Sequence, residues 1–117
     1  MEKIAALATL AALAQDNRLD VFRLLVQAGP KGMPAGAVAD ALGLAPNTLT
    51  FHFDRLRHAG LVSVRRDGRL MIYAARYEHM DALIGFLTEN CCGGSVGCPP
   101  SAAPSRPAAA KRAKIPA

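Results

Sequence analysis

"PNTLTFHFDRLRHAG" (residues 46–60) runs directly into "LVSVRRDGRLMIYAA" (61–75), and the hydrophobic period changes at the join. In the first segment Leu49, Phe53 and Leu56 recur at steps of four and three, the spacing of one helix face. Pro46 suits the first helical position and Gly60 the C-terminal cap. In the second segment Val62 and Val64 alternate on one arm and Leu70 and Ile72 on the other, with Asp67-Gly68 at the bend, a strong hairpin signal.

Upstream, three more helices are expected. Residues 3–14 are Ala/Leu-rich, with Ile4, Leu7, Leu10 or Ala11 and Ala14 at helical spacing. Asp16 or Asn17 can cap a second helix in which Leu19, Phe22 and Val26 form a stripe widened by Leu25, ended by Gly29-Pro30. A short third, "GAVADALGL", turns Val38, Ala41 and Leu42 inward and stops at Gly43. Downstream, "YEHMDALIGFLTEN" puts Tyr77, Met80, Leu83 or Ile84 and Leu87 on one face of a last helix. Five of the eight prolines fall in 99–117, among Ala, Ser and basic residues. The expected organisation is therefore one domain over 1–92 and a Gly/Pro/Ala-rich flexible tail over 93–117 that carries the third cysteine. This order of elements is mainly α with a small β-hairpin: a winged helix-turn-helix.

The net charge of +5 is unevenly spread. Residues 1–51 balance, whereas 52–76 carry six arginines against Asp54 and Asp67. Those arginines fall on the helix and ribbon that a winged domain presents to DNA. Opposite the apolar stripe of the fourth helix stand Asn47, Thr48, Thr50, Phe51, His52 and Arg55. Asn and Arg can each make paired bonds to purines, and a threonine methyl or phenyl ring can pack on the thymine methyl. Arg65, Arg66 and Arg69 sit towards the ribbon tip, within reach of phosphates or a minor groove. Double-stranded operator DNA is the expected partner.

"DNRLDVFRLL", "NTLTFHFDRLRHAGLV" and "RRDGRLMIYAA" resemble the ArsR/SmtB metalloregulatory repressors, over about residues 5–92. The resemblance implies repression of an operon and release from DNA when a metal or metalloid binds. The commonest arsenic-responsive motif, a Cys-x-Cys pair on the short helix before the reading helix, is missing from "GAVADALGL". The chain looks instead like the variant whose cysteine pair ends the last helix. His79, Asp81 and Glu89 match the family's inter-subunit zinc site too poorly to carry it over.

Cys91, Cys92 and Cys98 are the only cysteines, and glycines lie between and around them. Adjacent side chains on a helix diverge by about 100°, so the helix must end here if the thiols are to converge. Gly93, Gly94 and Gly97 permit that ending and the return of Cys98. Three thiolates complete the pyramid of arsenite, or of antimonite, whereas zinc normally takes a fourth ligand. The expected ligand is arsenite at Cys91, Cys92 and Cys98. A thiol-oxidation switch of the same fold and a metal-trafficking protein are the alternatives.

No catalytic constellation is found. Position six after each cysteine is Gly97, Cys98 or Pro104, so no Cys-x5-Arg oxyanion cradle exists, and the chain is read as no enzyme. Glu2 offsets Lys3 and Thr9 breaks the first apolar run, which is read as a helix rather than a leader. No stretch reaches the ~18 apolar residues of a membrane span, and the cytoplasm is the expected compartment. Apolar surface on the first and last helices, Ile4, Leu7 and Leu10 with Met80, Leu83, Ile84 and Leu87, is expected to form a homodimer interface.

Overall fold

A computed structural model describes residues 1–94. Five helices, α1 (Lys3–Leu13), α2 (Asp16–Ala28), α3 (Ala35–Leu42), α4 (Pro46–His58) and α5 (Tyr77–Thr88), are joined by β1 (Met33–Pro34), β2 (Val62–Asp67) and β3 (Leu70–Ala75). A turn over Cys91–Gly94, left-handed at Cys92 and Gly93, follows. The chain divides into a unit of residues 1–86 and a second that begins at Leu87. Cys98 and the remainder of the expected tail lie outside the described residues.

The core of the first unit gathers where α2, α3 and α4 meet the ribbon. Val21, Phe22 and Leu25 of α2, Val38 of α3, and Leu49, Phe53 and Leu56 of α4 close around Leu61 and Val62. Phe53 stacks on Tyr73 of β3, centroids 3.7 Å apart and planes 2° from parallel, which fastens α4 to the ribbon. Tyr77 donates its hydroxyl to the carbonyl of Val26 at 2.9 Å and so ties the start of α5 to α2. Gly60, at φ +85, ends α4 in a Schellman arrangement: Leu61 N–H bonds Leu56 O and Gly60 N–H bonds Arg57 O, each at 3.0 Å.

Several local expectations change in the folded chain. The cap of α2 is Gln15, whose side-chain oxygen accepts from Arg18 N–H, not Asp16 or Asn17. Leu19 and Ala41 face outward, and Val21 and Ala39 take the buried positions instead. Asp67 pairs with Leu70, so the two-residue loop is Gly68-Arg69 and glycine holds the position at positive φ. The ribbon also gains a third strand. Met33 and Pro34 pair with Tyr73 and Ile72, giving the order β1-β3-β2, and proline is tolerated because β1 is an edge.

Candidate nucleic-acid interface and thiol site

The start of α4 is set by a tight turn. Gly43, in the left-handed region, lets Leu44 N–H close on Ala39 O at 3.1 Å, and Pro46 then starts α4 with the φ a helix needs. With Leu49, Phe53 and Leu56 buried, Asn47, Thr48, Thr50, Phe51 and Arg55 are exposed on the far side. Thr50 donates to Pro46 O at 3.0 Å and Asn47 Oδ1 accepts from Thr48 N–H at 3.0 Å, which leaves the Thr50 oxygen able to accept and the Asn47 amide nitrogen able to donate. Arg55 lies over the Phe51 ring, 5.0 Å from its centroid, a cation–π pair that keeps both at the helix surface.

His52 is a correction. The sequence reading sets it among the DNA-facing residues, but it is only 5% exposed. Its Nδ1 has no hydrogen-bond partner among the described residues. Burial first, and the nearby Arg18 guanidinium second, hold its pKa below the ordinary 6.5, so the ring is kept neutral. Arg18 itself carries no signal in the sequence pattern that would single it out. Its Nε donates to Ala12 O at 2.7 Å, which fixes the start of α2 against the end of α1.

Arg65, Arg66 and Arg69 are all exposed on β2 and the loop, so the ribbon carries its positive charge outward. Among the described residues the ion pairs are Arg57–Asp54 and Arg76–Glu78, which leaves the ribbon arginines and Arg55 without a carboxylate partner.

The residues expected to join two protomers divide into two groups. Ile4 (77% exposed), Leu7, Leu10, Ile84 and Leu87 face outward. Leu83 is buried and Met80 packs on the core, so these two serve the protomer's own packing. His79 is likewise engaged: its Nε2 lies 2.9 Å from Thr9 Oγ1. Because Thr9 donates its hydroxyl proton to Ala5 O, the ring N–H donates to Thr9.

In the second unit the backbone leaves the helix abruptly. Asn90, Cys92 and Gly93 all take positive φ, at 59°, 60° and 67°. The left-handed Cys92 brings its Sγ to 3.3 Å from that of Cys91, where a continuous helix would splay them apart. Among the described residues no group of three His, Cys, Asp or Glu side chains is assembled; the expected third ligand, Cys98, lies beyond them.

Comparison with known proteins bears on the whole arrangement. The family model described as "Helix-turn-helix domain" matches residues 13–65. The chain is 30% identical over 87 residues to the HTH-type transcriptional regulator YgaV of Escherichia coli, covering 74% of this chain and 86% of YgaV. The chain belongs to the winged helix-turn-helix transcriptional regulators. It is also 32% identical over 80 residues to the nodulation protein NolR of Rhizobium meliloti, covering 68% of this chain but 63% of NolR, so it spans under two thirds of that relative's length. In fold the regulator resembles an ArsR-like transcriptional regulator from Rhodococcus sp. RHA1, with TM-score 0.64 at 23% identity over 72% of this chain and 76% of that one. YgaV and the Rhodococcus protein are both transcriptional regulators, in keeping with the sequence. Among the described residues no helix of this regulator is long and apolar enough to cross a membrane.

Proposed function

We propose that this regulator represses a metalloid-resistance operon and leaves its double-stranded operator when arsenite, or antimonite, binds the thiolates of Cys91, Cys92 and Cys98. It acts in the cytoplasm as a homodimer. The observation that carries the ligand half is the close of α5: left-handed Cys92 draws two sulfurs to 3.3 Å, a pair that one further thiolate completes for a soft trivalent centre. The DNA half rests on the exposed Asn47, Thr48, Thr50, Phe51 and Arg55 and on the ribbon arginines. Asn47 and Arg55 read base edges, while Arg65, Arg66 and Arg69 hold phosphates.

Two protomers pair through the outward apolar residues of α1 and α5, which spaces two reading helices by about one DNA turn, ~34 Å. Closing the thiol loop on arsenite acts on the end of α5, an element that also supplies interface residues. By linkage DNA must weaken arsenite binding by the factor that arsenite weakens DNA binding. The thiols at the close of α5 also support a second reading, in which hydrogen peroxide oxidises Cys91 or Cys92 with Cys98 to a disulfide, takes up the two thiol protons and leaves as two waters.

Anisotropy of a labelled duplex from the gene's own upstream region separates the two. Release by arsenite, lost in Cys91→Ser, supports the metalloid reading. Release by peroxide without response to arsenite selects the oxidation reading, and binding that ignores both removes the sensor while keeping the DNA-binding regulator.

A further inference from the structure

Between α1, the first turn of α2 and the flank of α4 lies a cavity of about 400 Å³ that the thiol assignment does not use and that shares only Phe51 and Arg55 with the proposed DNA-facing set. The sequence makes it by omission. Ala8, Ala11 and Ala12 of α1 line it together with Ala59, so four methyl groups stand where larger side chains would fill the gap. Phe51 supplies an aromatic wall. The floor is therefore apolar, and its volume falls in the range of small-molecule sites.

Its rim has the opposite character. Arg18, Arg55 and His58 all border the cavity. Arg18 is held by its Nε bond to Ala12 O at 2.7 Å, which leaves the two terminal guanidinium nitrogens for another acceptor. His58 donates Nδ1–H to Asp54 O at 2.7 Å, so its ring is oriented and its Nε2 edge remains. Arg55 is steered onto Phe51. Neither Arg18 nor Arg55 has a carboxylate partner among the described residues. The guanidinium groups of Arg18 and Arg55 over an apolar pocket suit one ligand class: a small amphipathic anion, with a carboxylate for those groups and an apolar body for the alanine side chains.

We infer that this cavity binds a small organic carboxylate, and that its occupant competes with DNA for Arg55 and Phe51. The two roles share atoms, since both residues belong to the reading face of α4. Ligand and operator are therefore mutually exclusive at this edge, independently of the cysteines.

The test uses the full chain with Cys91, Cys92 and Cys98 changed to serine, so the thiol switch is absent. Phenylacetate and octanoate are titrated against it by NMR, following the methyl signals of Ala8, Ala11 and Ala12, alongside the matching alcohols and inorganic phosphate. Saturable shifts with the carboxylates and not the alcohols are expected. Arg18→Gln should weaken binding about tenfold, through removal of one charge-assisted pair. Because Arg18 also braces α2, Ala8→Leu is the second variant: it fills the floor, leaves the guanidinium groups alone, and should abolish binding. A bound carboxylate should also lower affinity for the labelled duplex. Equal binding of the alcohols, equal binding of phosphate, or undiminished binding in folded Ala8→Leu would each overturn the assignment, as would no saturable shift at all. None of these outcomes depends on whether arsenite acts at the cysteines.

Discussion

His52 offers the sharpest check on how α4 is built. It sits on the core side of the reading helix with Nδ1 buried and unpartnered among the described residues, and with Arg18 near enough to oppose its protonation. Leaving a buried polar atom unpaired costs about 1–3 kcal/mol, so His52→Leu, an apolar side chain of comparable size, should stabilise the protein by about 1 kcal/mol at pH 7.5. The gain should grow in acid. The folded pKa is lowered below the unfolded 6.5, so below pH 6.5 the unfolded chain takes up a proton that the folded one refuses. Wild-type stability then falls as pH drops through that value, by at most about 1.4 kcal/mol for each pH unit, and the leucine variant escapes that share of the loss. Urea denaturation of both proteins at pH 7.5 and 5.5 measures the effect, and the difference between them cancels the other titrating groups. DNA affinity should not change, because the side chain is buried. A variant less stable than wild type by more than about 1 kcal/mol, with the same gap at both pH values, would refute the buried-neutral reading.

Three further outcomes are expected. Gly32→Ala should be the most damaging small substitution in the ribbon: φ is +77 and an added Cβ would overlap the carbonyl of Tyr73, so a loss of at least about 2 kcal/mol is expected in thermal denaturation. Thr9→Val removes the acceptor of the His79 N–H, and urea denaturation should show a cost of about 1–3 kcal/mol, with Thr9→Ser restoring most of it. Replacing Arg65, Arg66 and Arg69 by alanine should weaken binding to all duplexes alike and shallow the salt dependence, by about 0.9 in log-log slope for each phosphate no longer neutralised, whereas Asn47→Ala should act mainly on sequence preference.

The elements most legible in the sequence are those where period and punctuation agree. Pro46, the stripe of Leu49, Phe53 and Leu56, and Gly60 bound α4 together, and the observed helix runs from Pro46 to His58. The departures have physical causes. Residues 49, 52, 53 and 56 form an i, i+3, i+4, i+7 set, so His52 lies on the buried stripe by spacing; only its polarity argues it outward. On α5 both Leu83 and Ile84 satisfy the helical period, and only packing against the rest of the domain decides that Leu83 goes in and Ile84 stays out. The two residues of β1 carry no period at all, and their pairing with β3 is set by tertiary structure. Nothing local predicts the cavity either, because it is defined by what α1 lacks opposite α4.

That absence bears on α1 as a whole. The helix is apolar around most of its circumference, yet within the protomer it buries Ala6, Thr9 and Ala12 and leaves Ile4, Leu7 and Leu10 in water. A helix of that composition is stable when both sides are covered. Large residues on the outward side supply the area a second protomer would bury, while Ala8, Ala11 and Ala12 on the flank towards α4 supply too little bulk to fill the space beside the reading helix. Ile4, Ala8 and Ala11 recur at i, i+4 and i+7, so the surface suited to pairing adjoins the one left open beside Arg55 and Phe51 along α1. Enlarging Ala8 tests the second surface and truncating Leu7 tests the first. Leu7→Ala should act on dimer dissociation and Ala8→Leu on carboxylate binding, with sedimentation of both variants reporting any effect of the larger side chain on pairing.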